Sequence, residues 1–257
     1  MTSPLNLTTS TLASQMRMWR GTSSFHPARK QPEQLLEVYE FEACPYCRLL
    51  REALTELELD ALIYPCPKNG TRFRPKAIEL GAKSQFPLLV DPNTKQTLLE
   101  SADIIDYLSQ TYDGGLRASR GFGRTVSVAS SYAATGMRSM GRVRGMFARP
   151  STAPIQPLEL YSFESSPYAR PVRELLCELE LPYILRNFGK SQWREMGPPF
   201  VRDKILPSAP LTGRNRIKLR ELTGRSQVPY LIDPNTGTAM FESGDIMRYL
   251  EEVYAAA

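Results

Sequence analysis

The sequence predicts an α/β protein built as two tandem copies of one domain, each a four-stranded mixed sheet flanked by helices. Three observations predict it. The chain aligns with itself, each copy carries the same order of strand-like and helix-like hydrophobic periods, and 257 residues suffice for two domains with their own cores.

The self-alignment is direct. Tyr39-Glu-Phe-Glu-Ala-Cys-Pro-Tyr-Cys-Arg48 aligns with Tyr161-Ser-Phe-Glu-Ser-Ser-Pro-Tyr-Ala-Arg170, and the match continues from Arg51 to Leu59 and from Arg173 to Leu181. Further on, Ser84 to Thr94 matches Ser226 to Thr236, and Leu99 to Leu108 matches Phe241 to Leu250. The offset widens from 122 residues at Cys44/Ser166 to 142 at Ser84/Ser226, which places an insertion in the second copy at about 189–215. Pro198, Pro199, Pro207, Pro210 and Gly213 make it read as a surface loop. The boundaries expected are a basic leader 1–34, a first domain 35–112, an arginine-rich linker 113–156 and a second domain 157–257.

Within the first copy the strand-like run Leu35 to Phe41 leads to a helix from Pro45 to Glu58, with Leu49, Leu50, Ala53, Leu54 and Leu57 at helical spacing. A strand Ala61 to Cys66 and a helix near Arg74 to Leu80 follow. Pro87 to Val90 and Thr97 to Leu99 form a hairpin through the turn Asp91-Pro92-Asn93-Thr94. Ser101 is expected to cap a final helix whose apolar side is Ile104, Ile105, Tyr107 and Leu108. A β-α-β unit gives a parallel pair and the hairpin an antiparallel one, so the sheet is mixed.

Charge is uneven. Of the net +5, residues 1–32 contribute four basic side chains and no acid, and residues 114–150 seven arginines and no acid. Each basic segment reads either as a disordered linker or as a short amphipathic helix that docks on a domain, a partner or an anionic membrane surface. The leader also allows an organellar transit peptide, plastid or mitochondrial. Its echo in the linker (Met16, Arg17, Met18, Trp19 and Arg20 against Met137, Arg138, Met140, Arg142 and Arg144) argues for a structural role. No apolar run approaches the roughly 18–20 residues of a membrane span. Four cysteines are too few for a disulfide-stapled secreted scaffold. A soluble, cytoplasmic protein is expected, with an organelle or the membrane periphery as alternatives. The basic segments lack regularly interleaved aromatics beyond Trp19, Phe122, Tyr132 and Phe147, so nucleic acid is not an expected partner.

Cys44-Pro45-Tyr46-Cys47 stands at the strand-to-helix turn. There unpaired N–H groups and the helix dipole favour an anion, which lowers a thiol pKa and exposes the thiolate nucleophile near neutral pH. Cys47, one turn on, is placed to resolve a mixed disulfide, and Pro45 suits the first turn. The preceding acid, Glu42, is expected to raise the Cys44 pKa. A metal site would need a second Cys or His pair, and the single histidine, His26, lies in the polar leader. Cys177 reads as a core residue. Cys66, followed by Pro67-Lys68-Asn69-Gly70, is expected to be partly exposed, with a third-thiol role open.

Together with Gln85-Phe86-Pro87 and Glu100-Ser101, this motif resembles the glutaredoxin-like thioredoxin fold, and the Glu-Ser pair resembles the N-terminal domain of glutathione transferases. The resemblance covers roughly 35–112 and 157–254. It implies that Cys44 is the nucleophile and Cys47 the resolving thiol, and that a cis bond precedes Pro87. Tyr46, Phe86, Pro87, Glu100 and Ser101 would hold glutathione, with Phe86 pairing its cysteinyl backbone and Glu100 and Ser101 its γ-glutamyl end. The second copy lacks both thiols, Ser166 and Ala169 standing in their places. Ser166, Val228, Pro229, Glu242 and Ser243 form a second candidate site that either binds glutathione or is structural.

The activity expected is glutathione-linked thiol–disulfide exchange by the first domain, with glutathione as co-substrate, no metal, and a protein disulfide as partner. The alternative is a non-catalytic glutathione-binding or docking module. Iron–sulfur binding through Cys44 is a third option.

Overall fold

The computed structural model describes residues 4–114, 116–118, 120–140, 143–195 and 211–256, the Arg194 side chain excepted. The chain opens with α1 (Pro4–Met16), then β1 (Leu36–Glu40), α2 (Pro45–Glu56), β2 (Ala61–Pro65), α3 (Arg74–Gly81), β3 (Leu88–Asp91), β4 (Gln96–Leu99) and α4 (Ser101–Thr111). It continues through α5 (Gly121–Arg138), β5 (Leu158–Ser162), α6 (Ala169–Glu178), β6 (Tyr183–Asn187), a 3₁₀ turn Trp193–Glu195, α7 (Arg214–Thr223), β7 (Tyr230–Asp233), β8 (Thr238–Phe241) and α8 (Ser243–Tyr254).

In each half a parallel pair (β1 with β2, β5 with β6) extends through an antiparallel strand and a hairpin. The two four-stranded units share one eight-stranded sheet of order β4-β3-β1-β2-β6-β5-β7-β8. The joint is an antiparallel pairing of β2 with β6, in register Ala61↔Leu185, Leu62↔Ile184 and Ile63↔Tyr183. An exposed strand edge invites pairing with other chains. Here each half covers the other's edge. One apolar core cluster runs through both halves, from Val38, Leu50 and Leu54 to Leu160, Val172 and Leu176, and a smaller cluster lies in each half. The turns are repeated too: Asp91 accepts hydrogen bonds from Tyr107 (2.8 Å) and Tyr112 (2.6 Å), and Asp233 from Tyr249 (2.7 Å) and Tyr254 (2.5 Å).

The basic segments fold as exchanged arms. α1 and α5 pack on each other, α1 also meets α6 of the second half, and α5 lies along α2 of the first. Their arginines reach carboxylates far away in sequence. Arg17 is bidentate to Glu52 at 2.7 and 2.6 Å and also donates to the Ser127 carbonyl at 2.8 Å and the Ser130 hydroxyl. Arg138 forks onto Glu174 and donates to the Asn6 carbonyl at 2.9 Å and the Thr9 hydroxyl at 2.6 Å. Asn6, Thr9 and Arg17 therefore stand to Ser127, Ser130 and Arg138 at one constant offset. Each arm then turns through a glycine at positive φ, Gly21 (+71°) and Gly145 (+65°). A Cβ there would come within 2.8 Å of the Glu164 Cβ or the Glu42 Cβ respectively, so these turns exclude larger residues.

Beneath the arms, between α2 and α6, lies a buried ion lattice. Glu164 accepts from Arg51 (2.9 Å), Arg173 (2.8 Å) and Arg48 (3.3 Å), with Arg170 at 4.0 Å. Glu42 accepts from Arg173 at 3.0 Å and lies 3.4 Å from Arg51, which also binds Glu40. These side chains are 1–3% exposed. The surrounding arginines outweigh burial and hold the Glu164 carboxyl well below the usual carboxylate range.

Several expectations change. In the basic segments Arg17 and Arg138 are buried in ion pairs, Arg120 binds Asp103 and Asp106, and Arg149 binds Glu251. Cys66 is fully buried, not partly exposed. Of the insertion, Pro198, Pro199, Pro207 and Pro210 lie outside the described residues, whereas Gly213 immediately precedes α7. Glu195 anchors the insertion's described ends, accepting from the Ser191 N–H at 2.7 Å and pairing with Arg216 at 3.3 Å.

Removing one partner of a buried ion network leaves uncompensated charge and costs about 3–5 kcal/mol. Glu164→Gln is expected to lower the unfolding free energy by that order, read from the urea midpoint at constant m-value. A loss below about 1 kcal/mol would show that the lattice contributes little.

Candidate functional site

Cys44 is the residue just before α2, in extended conformation (φ −82°, ψ 123°), and its sulfur accepts the Cys47 N–H at 3.3 Å. Pro45 fills the first helical position. The Cys44 Sγ also lies 3.9 Å from the Phe86 carbonyl, and the Phe86–Pro87 bond is cis. Cys44, Cys47 and Phe86 thus meet in one small cluster, together with Tyr39, Cys66 and Leu88.

The two thiols are pushed apart. The Cys47 side chain, donating to the Cys44 sulfur, holds Cys44 below the usual thiol value; the N–H groups of Cys47 and Tyr46 help, while burial and Glu40 oppose. Burial and the bond to Cys44 push Cys47 well above it. Burial likewise raises Cys66 and Cys177. The expectation that Glu42 raises the Cys44 pKa is corrected. Glu42 turns away into the lattice, and the acid acting on Cys44 is Glu40, whose own carboxyl burial lifts to about 7 against the pull of Arg51.

A cleft of about 710 Å³ opens beside this helix entrance, lined by Tyr46, Gln85, Phe86, Glu100 and Ser101 from the first half and by Gly121, Arg124, Thr125, Val128 and Ala129 of α5. Glu100 precedes α4 at φ +68° and accepts from the Gln85 side chain. Ser101 is not the expected cap: Glu100 occupies that position, and Ser101 is the first helical residue. Its hydroxyl is buried, at 1% residue exposure, with no hydrogen-bond partner. The hydroxyls of Ser24, Thr135, Ser191 and Ser226 are likewise unpartnered, but Ser101 is the one of these residues that lines the cleft.

The second half repeats the frame without the thiols. Ser166 Oγ accepts the Ala169 N–H at 3.2 Å, Val228–Pro229 is cis, Glu242 at φ +68° accepts from Gln227 at 3.1 Å, and Ser243 begins α8. Sequence reasoning missed the α5 wall, because nothing in the linker's composition places it over Cys44. It also missed the ion lattice, although Arg-x-x-Arg-Glu recurs at 48–52 and 170–174. Among the described residues no group of three or more His, Cys, Asp or Glu could hold a metal ion, and no helix is long and apolar enough to cross a membrane.

The family model for the glutathione S-transferase N-terminal domain matches residues 38–115 and again 160–257. The chain belongs to that family. Among solved structures it is similar to Leishmania TDR1, a unique trimeric glutathione transferase, at 13% identity and a TM-score of 0.28, over 87% of this chain and 68% of that one. No curated protein matches the chain.

The thiol ordering makes a prediction about family members built this way. Brief iodoacetamide treatment near neutral pH is expected to add one label, at Cys44, and the pH midpoint of labelling is expected to rise in Cys47→Ala, which removes the donor to the sulfur. An unchanged midpoint would show that Cys47 does not tune Cys44.

Proposed function

We propose that the first half performs glutathione-linked thiol–disulfide exchange, with Cys44 as nucleophile and Cys47 as resolving thiol, and that the second half is a scaffold without thiol chemistry. The observation that carries this reading is a lowered thiol at a helix entrance beside a cleft lined by Ser101, whose buried hydroxyl has no partner, and by the acidic Glu100. Family membership supports glutathione as the ligand. Phe86, Glu100 and Ser101 fit the polar ends of a tripeptide, and the cleft lies within the roughly 300–1,000 Å³ of small-molecule sites.

The Cys44 thiolate would attack the glutathione sulfur of a protein–glutathione mixed disulfide. A Cys44–glutathione disulfide forms, the original S–S bond breaks, and the other sulfur leaves as a thiolate that takes up a proton. Cys47, once deprotonated, then attacks the Cys44 sulfur and glutathione leaves as a thiolate, or a second glutathione thiolate attacks the glutathione sulfur, forming oxidised glutathione and releasing the Cys44 thiolate. The Cys47 route leaves an intramolecular disulfide for a reduced thiol to open. A low-pKa attacking sulfur paired with a high-pKa resolving one suits this order, because the first step needs a thiolate already present.

The second reading, a docking module in which glutathione is structural, is favoured by the 4% exposure of Cys44. Intact mass after brief exposure to oxidised glutathione separates the two. Exchange predicts addition of one glutathione, or loss of two hydrogens by ring closure, in the wild type and neither in Cys44→Ser. An inert wild type near neutral pH would sink the enzyme reading.

A further inference from the structure

One wall of the cleft comes from outside both segments that match the family, and it carries a charge. Helix α5 is fixed over the first half from its far end: the Ser131 hydroxyl donates to the Pro45 carbonyl at 2.7 Å, Tyr132 meets Tyr46 edge-on at 5.9 Å, and Arg17 holds Ser127 and Ser130. That clamp sets where the nearer turns of α5 lie and brings Arg124 into the cleft lining beside Ser101 and Glu100. The Arg124 guanidinium is 3.7 Å from the Glu100 carboxylate, whose other oxygen takes the Gln85 amide. Their side chains are 29% and 52% exposed, so the pair is loose and worth little in water. Ser101, in the same lining, has a hydroxyl with no partner and stands at the N-terminus of the eleven-residue helix α4, where backbone N–H groups favour an anion.

A cation and an anion side by side complement a ligand group that carries the opposite charges at the same spacing. An α-amino-acid head, with its ammonium and carboxylate on one carbon, is such a group. We propose that Arg124 is a specificity-determining residue of this cleft: it binds the α-carboxylate of the ligand's amino-acid head together with Ser101, while Glu100 takes the ammonium. The inference rests on the glutathione reading and deepens it, since the γ-glutamyl end of glutathione bears this head. A guanidinium suits the task because its fork accepts a carboxylate bidentately. By the offset that relates the two arms, Arg124 is in sequence register with the uncharged Ser3, so the cation belongs to the half that retains both cysteines.

The test uses the full chain and two ligands that cannot exchange disulfides: S-methylglutathione and its analogue with the γ-glutamyl α-carboxylate converted to a carboxamide. Calorimetric titration of the wild type is expected to give an affinity roughly tenfold or more lower for the carboxamide, the size of one lost charge-assisted contact. Arg124→Ala is expected to weaken S-methylglutathione by about the same factor while binding the carboxamide about as the wild type does, and Arg124→Lys to recover part of the loss. Equal affinity of the wild type for the two ligands, or an equal loss for both in Arg124→Ala, would overturn the role of Arg124 while leaving glutathione binding intact. A wild type that binds neither ligand would overturn both this inference and the glutathione reading.

Discussion

Between α2 and α6, four arginines and three glutamates sit almost wholly out of water, and neither half could hold its share alone. Arg51 of the first half needs Glu164 of the second, and Arg173 of the second needs Glu42 of the first. Taking such charges from water is costly, and their attraction offsets that cost only when the geometry satisfies nearly every donor and acceptor. Much of the remaining architecture follows from that requirement. The β2–β6 joint brings the two helix entrances together, Gly21 and Gly145 let the arms pass close over the carboxylates, and Arg17 and Arg138 extend the lattice to Glu52 and Glu174.

The lattice also bears on the site. Glu40, held by Arg51, is the acid that acts on both Cys44 and Cys47, so the charge state of the joint reaches the thiols electrostatically. Helix α5, anchored by the lattice's outer arginine Arg17, supplies one wall of the cleft. The half with Ser166 and Ala169 at the thiol positions also contributes, since its Glu164 and Arg173 complete the ion network of the half with Cys44 and Cys47.

Much of this was legible in the residues. Strand, turn and helix order in both copies follow from periodicity and from Asp-Pro-Asn-Thr, because local spacing decides them. The placing of Cys44 follows equally well, since a proline at the first helical position marks the entrance. What was not legible depends on contacts between distant residues. Whether Glu100 or Ser101 precedes α4 rests on a backbone angle of +68°, which no side-chain pattern announces. The carboxylates that Arg17 and Arg138 reach lie some 35 residues away or more, beyond any local pattern. A strand edge likewise does not name the strand that will cover it.

A shared sheet and a shared ion lattice should make the two halves fold as one unit. Native-state hydrogen exchange in increasing denaturant tests it most directly, comparing amides of β1 and β2 with those of β5 and β6. Both sets are expected to reach one opening free energy with one denaturant slope, as a single cooperative unfolding requires. Amides of β5 and β6 that open at a lower free energy, while β1 and β2 stay protected, would contradict it.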